Sequence, residues 1–318
     1  MKIYRAFLLL IISFLIISCE KENKTSTKST NCSGAYSIVV NNGQVLVSGW
    51  KNLDSKLSTV YWIDSFKSDS TSYTAALPQG YIYKGSVDEQ SRITYVHKSL
   101  TGKVETYKFD QRLITEREEL FYHKGNELVK MDTSALGAII TMSLVEDKPY
   151  FAGCFGELVT QESGKTVAFK TPFLWDGGST LIELPLSNNS LLKGVSSIYI
   201  DKENNNYVGG LIGLPMYWKN SNPVILETLY GEVNQIIVSG ADVYAVGLYN
   251  KFNSNSTAHT ACYWKNGERI NLEDNAQAYG IYIDGNDIYV AGSVGDVPAR
   301  YKPCYWKNGA RVDLATKN

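Results

Sequence analysis

Cys262-Tyr263-Trp264-Lys265-Asn266-Gly267-Glu268-Arg269-Ile270-Asn271-Leu272 returns almost unchanged as Cys304-Tyr305-Trp306-Lys307-Asn308-Gly309-Ala310-Arg311-Val312-Asp313-Leu314. Asn-Gly between β-rich runs is a strong hairpin signal, because a type I′ turn needs positive φ at both central residues. Each copy therefore predicts a strand, a tight turn and a second strand. Upstream of the last copy, Gly280-Ile281-Tyr282-Ile283 and Asp287-Ile288-Tyr289-Val290-Ala291-Gly292 flank the turn residues Asp284-Gly285-Asn286, which predicts another hairpin. The repeat is thus two hairpins and four strands.

Weaker copies surround Trp62, Trp175 and Trp218. Trp175, Trp218, Trp264 and Trp306 are 43, 46 and 42 residues apart, whereas Trp62 and Trp175 are 113 apart. That gap holds one divergent repeat with extra residues. We place it from Gly80 to about Glu118, with Ile93–Val96 as second strand, Val104–Phe109 as third, and an added hairpin turning at Gly125-Asn126. In the other register, Phe121-Tyr122-His123-Lys124 is the third strand. Either register makes six repeats. A four-stranded sheet that is apolar on both faces cannot bury itself, but several stacked radially can. The expected fold is all-β: a six-bladed β-propeller of four-stranded antiparallel blades over residues 36–318. The repeated Trp is expected to wedge between neighbouring blades. The Gly ending each second strand is read as a packing or bend position.

In this geometry the first-to-second and third-to-fourth turns share one end of the ring, and the second-to-third loops share the other. The Gly-to-Trp distance varies from 9 residues in the fourth repeat to 22 in the third. Variable loops on a rigid frame are where binding residues usually sit. The candidate ligand-binding residues on this face are Trp50, Phe155 and Tyr249, which follow the Gly, with Phe252, His259, Arg300 and Tyr301 further on. Catalysis finds little support. The three histidines, His97, His123 and His259, form no grouping, and no GxSxG, HExxH or phosphate-cradling loop occurs. No catalytic residue, cofactor or metal is assigned.

The first eighteen residues read as a signal peptide: Lys2 and Arg5 precede an apolar run, Phe7 to Ile17, too short to span a bilayer. The run ends in Ile16-Ile17-Ser18-Cys19, which resembles the lipobox of bacterial lipoproteins. That resemblance implies cleavage before Cys19 and its acylation. Residues 19–35 then read as the lipidated Cys and a polar tether; its stretch from Glu20 to Ser33 would reach about 50 Å at ~3.5 Å per residue. The chain beyond residue 18 has 29 basic and 32 acidic residues, no footprint for nucleic acid. Cys32, Cys154, Cys262 and Cys304 remain; Cys262 and Cys304 hold the same place in successive repeats, too far apart for a disulfide. They read as buried apolar residues.

The repeats resemble kelch-type repeats, although the double glycine of the kelch motif appears only at Gly209-Gly210. More closely, the Tyr-Trp-Lys-Asn-Gly copies are similar to those of uncharacterised propeller lipoproteins from Bacteroidetes-type bacteria. That resemblance covers most of residues 36–318, and residues 195–318 most closely, and it implies fold and anchoring. The expectation is a monomeric outer-membrane lipoprotein that touches the membrane through its lipid anchor only and binds an envelope protein or a glycan. The alternative is a glycan-acting hydrolase or lyase with loop-borne carboxylates.

Overall fold

Where the repeats predict hairpins, the turns have the backbone that Asn-Gly favours. Asn266 and Gly267 lie at φ 51° and 88°, and Asn308 and Gly309 at 50° and 83°. The Asn side chains have a further use. Asn266 Oδ1 accepts from Val243 N (2.9 Å) and its Nδ2 donates to Asp242 Oδ1 (2.6 Å). Asn308 does the same with Ile288 N (2.8 Å) and Asp287 Oδ1 (2.7 Å). The preceding Lys completes the link: Lys265 pairs with Asp242 at 2.8 Å and lies over the Tyr244 ring, and Lys307 pairs with Asp287 at 2.9 Å and lies over Tyr289. The motif thus fastens the third strand of a blade to the start of its second.

The computed structural model describes residues 32–316 apart from 54–55, 88–91, 111–119, 132–136, 162–163, 187–193, 213, 251–258 and 296–300. It is a six-bladed β-propeller. Blade one holds β1 (Cys32–Asn41), β2 (Gln44–Leu53), β3 (Lys56–Ile63) and β4 (Phe66–Ser68). Helix α1 (Ser70–Ala76), capped by the Asp69 side chain, leads into blade two: β5 (Tyr81–Val87), β6 (Arg92–Lys98), β7 (Val104–Asp110), β8 (Phe121–Lys124) and β9 (Glu127–Lys130). Blade three is β10 (Gly137–Val145), β11 (Lys148–Gln161), β12 (Gly164–Trp175) and β13 (Leu181–Glu183). Blade four is β14 (Val195–Ile200), β15 (Asn206–Ile212), β16 (Leu214–Lys219) and β17 (Asn222–Ile225). Blade five is β18 (Gly231–Ser239), β19 (Asp242–Asn250), β20 (His259–Lys265) and β21 (Glu268–Asp274). Blade six is β22 (Ala276–Asp284), β23 (Asp287–Val294), β24 (Lys302–Lys307) and β25 (Ala310–Asp313). The ring closes where β1 packs on β22, β23 and β24, and where Trp62 Nε1 donates to Ala315 O at 2.8 Å. Because β1 begins at Cys32, residues 32–35, read above as the end of the tether, belong to the first blade.

Blade two carries the four-stranded unit plus one strand, and the contacts show which strand is extra. Lys124 lies over Tyr107 and reaches Glu105 at 3.9 Å, as Lys265 does with Tyr244 and Asp242. Gly125 N donates to Thr106 O, as Asn266 N does to Val243 O. Phe121–Lys124 is therefore the third strand of this repeat, β7 its second and β6 its first; the register with Val104–Phe109 as third strand is corrected. The insertion is β5, on the inner edge of β6, and it runs backwards relative to β1. Tyr81 OH donates to Ile38 O (3.2 Å), while Lys84, three residues on, lies over the ring of Tyr36. Helix α1 makes this possible by carrying the chain from the loop end to the turn end; Asn41, at the turn end of β1, donates to Ala76 O at 2.7 Å. Tyr73 of α1 and Tyr83 of β5 pack with Tyr61, ring centroids 4.8–6.4 Å apart, and fill the junction of blades one and two.

Elsewhere the junctions are filled by Trp62, Trp175, Trp218, Trp264 and Trp306, each at most 1% exposed and packed on the preceding blade. Burial on this scale, on the order of 200 Å² per ring, makes them core residues. Cys154, Cys262 and Cys304 are free and buried, and burial pushes the Cys154 thiol up to about 12.

Candidate functional site: the central channel

The innermost strands share an irregularity that the repeats did not reveal. Five of them carry a β-bulge at the same place, and the extra residue is Tyr36, Ile140, Ser196, Asn234 or Tyr279. Opposite each bulge stands the repeated Gly of the second strand: Gly49, Gly153, Gly210, Gly247 or Gly292. A Cβ on Gly49, Gly153, Gly247 or Gly292 would lie 1.9–2.1 Å from a first-strand carbonyl oxygen. The glycine is what lets the bulged backbone approach, and bulges re-aim side chains. All five bulged residues line a central channel of about 500 Å³.

Polar side chains stitch neighbouring blades together around this channel. Ser197 Oγ accepts from Ile236 N (3.1 Å), Gln235 Oε1 accepts from Ile281 N (2.6 Å), and Asn234 Nδ2 donates to Ala278 O (2.9 Å). Tyr95 OH meets Thr141 Oγ1 at 3.3 Å. Tyr279 OH donates to Gln277 Oε1, and Gln277 Nε2 donates to Tyr301 OH at 3.0 Å.

Among the described residues two charged side chains line the channel, and neither has a counter-ion there. Lys84, on β5, lies 5.5 Å from the Tyr36 ring centroid, and burial pulls its ammonium down to about 8. Glu232, at the loop end of β18, receives a long hydrogen bond from Asn234 Nδ2 (3.4 Å), and burial pushes its carboxyl up to about 6. Both touch the channel void and are partly accessible, yet both sit deep enough for desolvation to outweigh every other influence on them. Glu232 and Gln277 stand at first-strand positions where the other four-stranded blades have Gly34, Ala138 and Gly194. Around Glu232, Tyr279 and Tyr301 are both held above their usual range; burial is the main cause, and the nearby carboxylate adds to it.

These two ions cost stability. Glu232 is protonated more readily folded than unfolded, so its contribution falls as pH rises from about 4.5 to about 6. Lys84 loses its proton more readily folded, so its cost is present below about 8 and fades as pH climbs toward 10.5. Glu232→Gln is expected to stabilise the protein at pH 7 by up to about 2 kcal/mol, with the gain gone near pH 4. Lys84→Met is expected to gain up to about 3 kcal/mol at pH 7, shrinking toward pH 10. Urea midpoints across pH check both; a loss of stability at pH 7 in either variant contradicts the account.

The aromatic residues expected on the loop face are placed differently. β2, β11 and β19 continue past the Gly, so Trp50, Phe155 and Tyr249 are strand residues, 4%, 8% and 2% exposed. Trp50 lies against Gly34, Phe155 stacks on Phe173 at 4.4 Å, and Tyr249 carries the Arg269 guanidinium 3.8 Å above its ring. His259 starts β20, half-buried, with Nδ1 against Asn250 Oδ1, and burial lowers its pKa. Phe252 and Arg300 lie outside the described residues. Of the five that are described, Tyr301 alone reaches the channel network, through Gln277. His97, at the turn end, is buried with Glu105 and Asp147 each 3.9 Å away. Among the described residues no group of three His, Cys, Asp or Glu side chains is placed to hold a metal. No described helix is long and apolar enough to cross a membrane.

No family model matches the chain, and no curated protein matches it in sequence. Solved structures of similar overall shape include a PL25 ulvan lyase bound to a GlcA–Rha3S unit, at 10% identity and TM-score 0.41, covering 86% of this chain and 94% of that one. A triple mutant of AofleA from Arthrobotrys oligospora aligns at 14% identity and TM-score 0.31, covering 76% and 72%. The GH43_1 enzyme from Xanthomonas citri complexed with xylotriose aligns at 9% and 0.31, covering 95% of each. Likenesses this remote concern overall shape, and no chemistry is carried over from them.

Proposed function

We propose that this protein is a lipid-anchored propeller of the bacterial outer membrane that binds a ligand in the loop-end mouth of its central channel. The N-terminal apolar run ending at Cys19 and the polar stretch after it support the anchor. The resemblance to propeller lipoproteins of Bacteroidetes-type bacteria belongs to the same reading. The observation that carries the binding site is the pair of uncompensated ions, Lys84 and Glu232, in a channel otherwise lined by tyrosines, amides, hydroxyls and aliphatic side chains. Native proteins rarely keep buried charges without partners, and where they do the sites are commonly functional.

Binding is favoured over glycan hydrolysis by a simple count. Glycoside hydrolysis ordinarily needs two carboxyl groups roughly 5–10 Å apart. Glu232 is the one carboxylate among the described lining residues.

The test uses the full mature chain in detergent, passed over solubilised envelope material alongside the Lys84→Met/Glu232→Gln double variant. Protein or glycan retained by the first and absent from the second is the expected result. Equal retention by both removes the channel as the site. Incorporation of radiolabelled palmitate, lost in Cys19→Ala, tests the anchor separately.

A further inference from the structure

We infer that the channel ligand is a short linear zwitterion, a free peptide of a few residues, with its carboxylate on Lys84 and its ammonium on Glu232. This rests on the channel being the binding site. In a ring of six, blades two and five are opposite one another. Lys84 on β5 and Glu232 on β18 therefore face each other across the channel and do not neutralise each other. A ligand with one kind of charge would satisfy one side and leave the other partly buried and unpaired. A molecule with opposite charges at its two ends answers both.

The surroundings narrow the chemistry further. The other polar groups at the mouth are already engaged: Asn234 with Ala278 O, Gln277 with Tyr279 and Tyr301, Gln235 with Ile281 N. They form a frame around the two ions, which are the charged groups a ligand meets among the described lining residues. At the Glu232 end, Tyr279 and Tyr301 flank the carboxylate, an arrangement that suits an ammonium through hydrogen bonding and ring electrostatics. At the Lys84 end the Tyr36 ring covers the ammonium from one side, and a carboxylate approaching from the void meets no anionic side chain among the described residues. About 500 Å³ matches pockets that hold drug-sized ligands. An extended peptide of two to four residues spans roughly 7–14 Å.

The inserted strand gives the inference its second support. Every four-stranded blade offers the channel neutral side chains or, in blade five, Glu232. The cation comes from β5, the one strand outside the repeat plan. The largest departure from the repeat thus delivers the charge that complements Glu232.

The experiment offers the full mature chain a mixed library of free dipeptides to tetrapeptides, and the same library N-acetylated, C-amidated or both. Retained peptides are identified by mass spectrometry, and their affinities are measured by calorimetry between pH 5 and 9. Free peptides are expected to bind, each block to weaken binding at least tenfold, and the double block to abolish it. Affinity should peak between about pH 6 and 8, where both ions are charged. In Lys84→Met, C-amidation should cease to matter while N-acetylation still does; in Glu232→Gln the reverse should hold. Blocked peptides binding as well as free ones overturns the inference, as does a library from which nothing is retained. If an envelope glycan is instead held in a Lys84- and Glu232-dependent way, the peptide assignment fails and the channel stands. If no ligand depends on either residue, both fail.

Discussion

Gly247→Ala should cost about 3 kcal/mol or more, close to the upper range for overpacking a core. The added methyl would lie 1.9 Å from Glu232 O and 3.2 Å from Val233 Cα, backbone atoms that cannot rotate aside. Relief requires β18 to part from β19 at the bulge, which also withdraws Glu232 from the channel. Gly209→Ala is the matched control. Its methyl would meet Val233 Cγ1 at 3.0 Å and Ser196 Oγ at 3.1 Å, side-chain atoms that can yield. Its expected cost is about 1 kcal/mol, the lower end for overpacking. Urea denaturation of both variants checks the account, and equal midpoints would contradict it.

Trp306→Ala is the second large effect, at about 3–5 kcal/mol. The ring fills the junction of blades five and six, among Tyr244, Val246 and Ala261. Its Nε1 donates to Glu273 Oε2 at 3.1 Å, and Arg311 holds the other oxygen of the same carboxylate. Trp264 provides the comparison, since its Nε1 has no partner among the described residues. Phenylalanine at 306 gives up a hydrogen bond to a charged group, and phenylalanine at 264 gives up none. Trp306→Phe should therefore cost about 1–2 kcal/mol more than Trp264→Phe. Denaturation midpoints of the two phenylalanine variants decide it; a reversed order would refute the assignment.

The blades were readable because the same residues do the same work in several of them. Lys265, Asn266 and Gly267 are each tied to a turn or a second strand, and copying the fold copies those ties. The repeated Gly was visible as well, but its reason was not. A bulge is an extra residue in one strand seen against its partner, so it needs the pairing, and sequence alone shows only the alternation. The Gly before Trp50 and Tyr249 has the sequence signature of a strand end, which predicts loop positions for both rings. The strands run on to Leu53 and Asn250, and both rings are buried.

The channel ions were hidden for two different reasons. Glu232 and Gln277 can be found by aligning first strands, where Gly34, Ala138 and Gly194 hold the same place; the eye goes to the Trp strand instead. Lys84 cannot be found that way, because β5 has no counterpart in the repeat. A reversed strand has the same two-residue period as a forward one, so nothing in Tyr81–Val87 marks its direction. The clue that was present is Asp69, which accepts from Ser72 N at 2.8 Å as the cap of a helix in an otherwise β-rich chain.

That helix has a consequence of parity. Each strand carries the chain from one end of the ring to the other, so four strands bring it back to where it started and five leave it on the wrong side. β5 could not have been added by itself without turning every later blade over. Paired with α1, which supplies the compensating crossing, it forms an excursion that leaves from and returns to the loop end. The element that brings the cation into the channel is therefore a self-contained cassette, one that can be spliced in or cut out without rethreading a single blade.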